Sequence, residues 1–182
     1  ELMNLSWTWN EMAEYTLKCT KNTLSASRLT ALLSDLCNEL YAHRPGDDTT
    51  IAVMRVINRK IVNIFTGPPK SKDDDERMVR EFMSEEGTKV VSGGTSANIM
   101  ARVLQKNIVT SVNYQDSSVP PTAAIEGLDL VTEGVLTLGK ALKLLKKYER
   151  DDFDVEFFDE LDADNGASRL ARLLIEECTD IH

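Results

Sequence analysis

The sequence predicts an α/β fold: two N-terminal helices and a β-hairpin, joined to a mostly parallel sheet with flanking helices. Three observations predict it. Before residue 58, apolar residues recur at spacings of three and four, the period of a helix with one buried face. After residue 58, short β-branched runs alternate with helical patterns, as in a parallel sheet covered by helices. Glycine turns separate strand from helix at 67–69, 92–96 and 132–134.

The elements follow in order. The first helix opens on Trp7-Thr8-Trp9, with Ser6 or Thr8 as its cap, and runs to about Lys21. The tryptophans read as packing residues. A second helix starts near Ser25, carries Leu29, Leu32, Leu33, Leu36 and Leu40, and stops before Arg44-Pro45-Gly46. Two strand-like runs, 50–56 and 60–65, flank Asn58-Arg59, which reads as a tight hairpin turn. Beyond it come a helix over 73–86, a strand over 89–91, a helix over 96–104 and a strand over 108–113. A long loop with Pro120-Pro121 leads to a strand over 128–131 and a helix ending near Tyr148. Leu138, Leu142 and Leu145 form a stripe that reads as core, with a partner helix as the other use. Residues 151–164 are dense in acids around Phe153, Phe157 and Phe158 and read as a solvated connector with apolar anchors. An EF-hand does not fit, because Leu161 and Ala163 stand where acids are needed. A last helix is capped at Asp164 or Asn165 and runs out with no strand after it.

Composition excludes some classes. A net charge of −9 over 182 residues repels nucleic acid and anionic membrane surfaces, so neither is expected as a partner. Hydrophobic content of 42% supports a packed core, and with 6% aromatic residues that core is mainly aliphatic. Cys19, Cys37 and Cys178 are odd in number and lack Cys-x-x-Cys spacing, so they read as free, mostly buried thiols in a reducing cytoplasm. His43 and His182 are too few for zinc, and His43 falls where it meets a helix dipole.

Two stretches carry chemistry. Gly46-Asp47-Asp48-Thr49-Thr50 sets two carboxylates at the mouth of an apolar strand. Oxygen ligands on a rigid element suit a hard divalent cation, and the same residues are also ordinary turn formers. Ser92-Gly93-Gly94-Thr95-Ser96 reads as glycine turn, hydroxyls, helix. Backbone amides at a helix N-terminus attract phosphate or carboxylate, while Thr95 or Ser96 as a simple helix cap is the plainer alternative. No lysine follows, so it is not a Walker A loop, and no G-x-G-x-x-G is present. In a parallel sheet the loops holding Gly67, Ser92, Gly93, Gly94, Thr95, Ser96 and Glu133 converge on one rim. Glu133 there suits a ribose hydroxyl, a cation or a helix cap.

The order Trp7-Thr8-Trp9, leucine-rich helix, Asp47-Asp48-Thr49-Thr50 resembles the C-terminal end of the PPM-type metal-dependent serine/threonine phosphatases, in the stage II sporulation protein E (SpoIIE) branch. The resemblance covers about residues 5–57. The stretches Phe65-Thr66-Gly67-Pro68-Pro69, Ser92 to Asn98 and Gly166-Ala167-Ser168-Arg169-Leu170-Ala171 look like the extension carried by some bacterial members. The resemblance implies a hydrolase with two Mn or Mg ions, whose bound hydroxide attacks a phosphoserine or phosphothreonine of a phosphoprotein substrate. It implies that Asp47, with Asp48 beside it, is one corner of that metal site. The family's other acidic ligands lie well over a hundred residues upstream. Residues 1–57 are therefore expected to be the remnant of a phosphatase domain, with 58–182 an α/β extension. On this expectation the chain is a fragment, inactive alone and unable to retain Mn or Mg tightly, whose first partner is the upstream segment of its own protein. The alternative is a regulatory module that binds a small anion or nucleotide at the rim.

Overall fold

The computed structural model describes residues 7–23, 25–44, 46–110, 119–150 and 153–182. The chain divides into two compact units, Glu1–Ile57 with Asp152–Asp159, and Asn58–Asp151 with Glu160–His182.

In the first unit, α1 (Trp9–Cys19) begins where Thr8 and Glu11 cap each other reciprocally. The Thr8 amide donates to Glu11 Oε2 at 2.6 Å, which holds the Glu11 carboxyl below its ordinary value. Ser25 caps α2 (Ala26–Leu40). Cys19, Leu29 and Leu33 form the small core, with Met12, Tyr15, Leu32, Ile51 and Val53 packed on it. Trp7 meets Tyr15 edge-on at 5.7 Å, but Trp9 is 91% exposed, so only one of the two tryptophans packs. Phe153, Phe157 and Phe158 cluster at ring distances of 5.2–6.3 Å, and the Arg28 guanidinium lies 4.8 Å over Phe158. His43 Nε2 lies 3.3 Å from Glu39 just past the end of α2.

The expected hairpin does not form. Residues 50–60 carry no strand, and β1 (Ile61–Thr66) has parallel neighbours on both edges. Its hydrogen-bonding groups are taken by β2 (Thr88–Ser92) and β6 (Asp180–Ile181), so no antiparallel partner can join. Residues 51 and 53 pack against helices instead.

Among the described residues the second unit holds a six-stranded mixed sheet in the order β3 (Val109–Thr110), β4 (Ala123–Ala124), β5 (Leu130–Thr132), β2, β1, β6. The strands from β5 to β6 are mutually parallel, and β4 is antiparallel to β3 and β5. Between them in the chain run α3 (Asp75–Ser84), α4 (Gly94–Leu104), α5 (Val135–Glu149) and α7 (Gly166–Glu176), while α6 (Val155–Asp162) falls mostly in the first unit. One face of the sheet presents Phe65, Val91 and Val131 to Val79 of α3 and to Ala97 and Met100 of α4. A buried Asp75 pairs with Arg102 and ties α3 to α4. The other face presents Thr132 to α5 and α7: a side chain on Gly166 would stand 3.3 Å from Thr132 and 3.4 Å from Thr137.

Several boundaries differ from the sequence reading. The buried row of α5 is Thr137, Ala141 and Leu144, and Leu142 is half exposed, because the helix turns one residue away from the leucine stripe. The acidic stretch is a helix, α6, that buries Phe157, Phe158 and Leu161 while its carboxylates face out. The strand expected over 108–113 is seen at Val109–Thr110; Ile108 stands before it, and residues 111–113 lie outside the described residues, as do Ser6 and Pro45. Cys19 is buried, whereas Cys37 and Cys178 are only half-buried; all three are free thiols.

The chain does not end at a helix. Asn165 Oδ1 accepts from the Ala167 and Ser168 amides to start α7, and after Glu176 the chain turns into β6. His182 N–H donates to the Val62 carbonyl at 2.9 Å and its carbonyl accepts from Ile64 at 2.8 Å. Arg59 adds a bidentate grip on Asp180 at 2.9 and 3.0 Å, and this pulls the Asp180 carboxyl down to about 2. A depressed carboxyl favours the folded chain above its ordinary value of 3.8 and loses that contribution as pH falls through about 2. In Arg59→Ala, Asp180 is expected to titrate clearly above 2 by NMR, with the Thr179 hydroxyl still holding it below its ordinary value; a value still near 2 would show that the guanidinium is not the main cause. Gly87 sits at φ +105°, where an added Cβ would fall 2.4 Å from the Ile61 carbonyl oxygen. Gly87→Ala is therefore expected to cost about 2–4 kcal/mol in urea unfolding, and a loss below about 0.5 kcal/mol would contradict the geometry.

Candidate functional site

The site is built by the direction in which the chain crosses the sheet. From β1 through α3 to β2, and from β2 through α4 toward β5, the crossovers move one way. From β5 the chain returns through α5, α6 and α7 past β2 and β1 to β6. Right-handed crossovers in opposite directions place their helices on opposite faces. The packing agrees, since α3 lies on α4 and α5 on α7. The connections therefore diverge between β2 and β5, and the carboxyl ends of those two strands form the crevice where open α/β sheets hold ligands.

Parallel register brings the expected residues there. Thr66 pairs with Ser92, and Ser92 with Thr132, so Gly67, Gly93 and Glu133 emerge side by side on one edge. The Gly93 amide donates to the Thr132 carbonyl at 2.9 Å. Ser92 Oγ donates to the Glu133 carbonyl and accepts from Thr132 Oγ1, each at 3.2 Å. Ser92 is buried, so its hydroxyl fastens the two loops together. A side chain on Gly134 would meet the Gly93 Cα at 3.5 Å, so the loops abut with bare backbone.

Two helices open at this seam. α4 starts after Gly93, at φ +110°, and α5 starts after Gly134; neither has a side-chain cap. Thr95 and Ser96 therefore do not cap α4. With glycine at both N-cap positions, the first-turn amides are left to outside acceptors. Glu133 Oε2 already takes the Gly134 amide, at 2.6 Å. The third residue of each helix, Ser96 or Thr137, is a hydroxyl at 1% or 0% exposure, and neither has a hydrogen-bond partner among the described residues. Sequence reading found the α4 turn. It missed Thr137, whose signal was the same glycine-plus-three spacing after a strand.

The acidic pair belongs to the first unit. Asp47 and Asp48 are exposed and line a recess of about 390 Å³ with Ser34, Asn38, Tyr41 and Thr49. Asp47 Oδ1 accepts the Asp48 amide at 2.9 Å. Two carboxylates fill two of the roughly six oxygen positions that a Mn or Mg ion takes, so alone they do not fit a two-ion centre. Among the described residues, no group of three or more His, Cys, Asp or Glu side chains is arranged to hold a metal, and no helix is long and apolar enough to cross a membrane. No protein-family model, no curated protein and no solved structure matches the chain.

Ser92→Ala removes the tie between the two loops and strands buried polar groups. It is expected to lower stability by about 1–3 kcal/mol in chemical denaturation; an unchanged midpoint would show that the loops are held without it.

Proposed function

We propose that the chain is the C-terminal part of a SpoIIE-like, PPM-type serine/threonine phosphatase, with residues 58–182 as its α/β extension. The observation that carries the reading is the segment 50–57. It is β-branched, headed by two aspartates, and pairs with no strand among the described residues. Ile51 and Val53 pack on the two helices, while Met54 and Val56 stand 92% and 93% exposed. A β-branched segment that lays one row of side chains on helices and leaves its other row bare has the makings of an element of a larger layered fold. In this reading an upstream segment of the same protein supplies the neighbouring strands and the remaining acidic ligands. Mn or Mg would then be held jointly, with Asp47 as one corner. The substrate is a cytoplasmic phosphoprotein, and this chain alone releases no phosphate.

The test uses the longer natural polypeptide. It is expected to hydrolyse p-nitrophenyl phosphate only with Mn²⁺ or Mg²⁺, and Asp47→Ala is expected to lower that rate by about a hundredfold or more. A rate untouched by Asp47→Ala would refute the metal role.

A second reading concerns the α/β unit itself, and the two abutting, uncapped glycine N-termini favour it. In this reading the rim at 67–69, 92–96 and 132–134 binds a small anion or nucleotide and regulates the attached enzyme.

A further inference from the structure

We propose that the seam between α4 and α5 binds a single phosphate group, free or as the monoester of a small molecule, in competition with the carboxylate of Glu133. The proposal rests on the rim reading above and names its ligand. Helix N-termini alone would be a weak basis. The independent observation is a buried hydroxyl with no partner among the described residues, Ser96 Oγ. Buried polar atoms in native proteins are nearly always satisfied, so each exception calls for an explanation. Ser96 Oγ lies 3.7 Å from the point where a side chain on Gly93 would begin, so it faces the bare backbone of the seam. An acceptor oxygen seated against Gly93 and Gly134 would give it a partner.

Charge selects the anion. Each helix end offers about half a positive charge, and together about one. Neither 92–96 nor 132–136 contains Lys or Arg. A phosphate monoester, at about −1.5 to −2, is within reach of that field. A nucleotide di- or triphosphate brings more charge than the seam can meet without a cation. Shape points the same way, because a tetrahedral group presents oxygens to donors arriving from two faces, whereas a carboxylate presents two in one plane. Glu133 shows that the α5 end already draws an oxyanion, taken from the chain itself. That side chain is exposed and free to swing away, so an arriving phosphate displaces it.

The experiment is an amide NMR titration of the whole chain with inorganic phosphate, and separately with glycerol 2-phosphate, citrate and ATP. Phosphate or the monoester is expected to shift the amides of Gly94, Thr95, Val135 and Leu136, and the tighter of the two identifies the source. Glu133→Gln is expected to tighten binding about threefold or more, and Ser96→Ala to weaken it about fivefold. A side chain at Gly94 would meet nothing within 4 Å, so Gly94→Val keeps the fold, checked by its remaining amide shifts, while blocking the seam. If citrate or ATP shifts these amides and both phosphates do not, the phosphate assignment fails and the rim reading stands. If none of the four does, both fail. An affinity unchanged in Glu133→Gln overturns the competition.

Discussion

The carboxyl ends of β2 and β5 meet at backbone distance because glycine stands at the head of both following helices. Everything at the rim depends on that approach. A side chain at Gly93 would need φ +110°, which L-residues rarely adopt, and one at Gly134 would press on the Gly93 Cα. With both positions bare, the Ser92 hydroxyl reaches the Glu133 carbonyl, and the Gly93 amide completes the ladder to Thr132. The same bareness leaves both helices without side-chain caps. One constraint thus gives the loops their fastening and the helix ends their unfilled donors.

How much of this was legible varies with the physics. Glycine turns between apolar runs are local signals, so 92–96 and 132–134 could be placed on one rim from spacing and parallel topology alone. The helices were legible where a cap and a periodic face coincide, as at Thr8, one of two caps the sequence offers, and at Ser25. The hairpin at Asn58-Arg59 failed because a two-residue turn is a local possibility, whereas the partners of β1 lie 26 and 119 residues on, at Thr88 and Asp180–Ile181. β6 is two residues long, with too little pattern to be seen; what places it is Arg59 holding Asp180 and the backbone of His182. α6 was hidden by its carboxylates, since its buried row is only Phe157, Phe158 and Leu161. Thr137 was passed over because its glycine-plus-three spacing matches that of Ser96 but gains meaning only from its burial.

The two units raise different questions. The first has a small core of Cys19, Leu29 and Leu33, and a strand-like segment whose outer row is uncovered. Its acidic pair lies on an exposed turn, as a ligand for a shared ion would, and also as any Gly-Asp-Asp turn would. Under the phosphatase proposal its role rests on acidic partners outside residues 1–57. The second unit carries a sheet with both faces covered by helices and a ligand edge defined by its own connections. Its binding properties can be examined in this chain directly.

The geometry of the seam is the point on which the account turns, and a nuclear Overhauser experiment reads it without any ligand. Gly93 and Gly134 are 41 residues apart in the chain, yet the added-Cβ position of one lies 3.5 Å from the Cα of the other. Their α-protons are expected to give a cross-peak, together with the parallel pattern linking 90–92 to 130–132. Absence of that cross-peak in a folded sample, or an antiparallel pattern between those strands, would contradict the convergence of α4 and α5 and with it the rim.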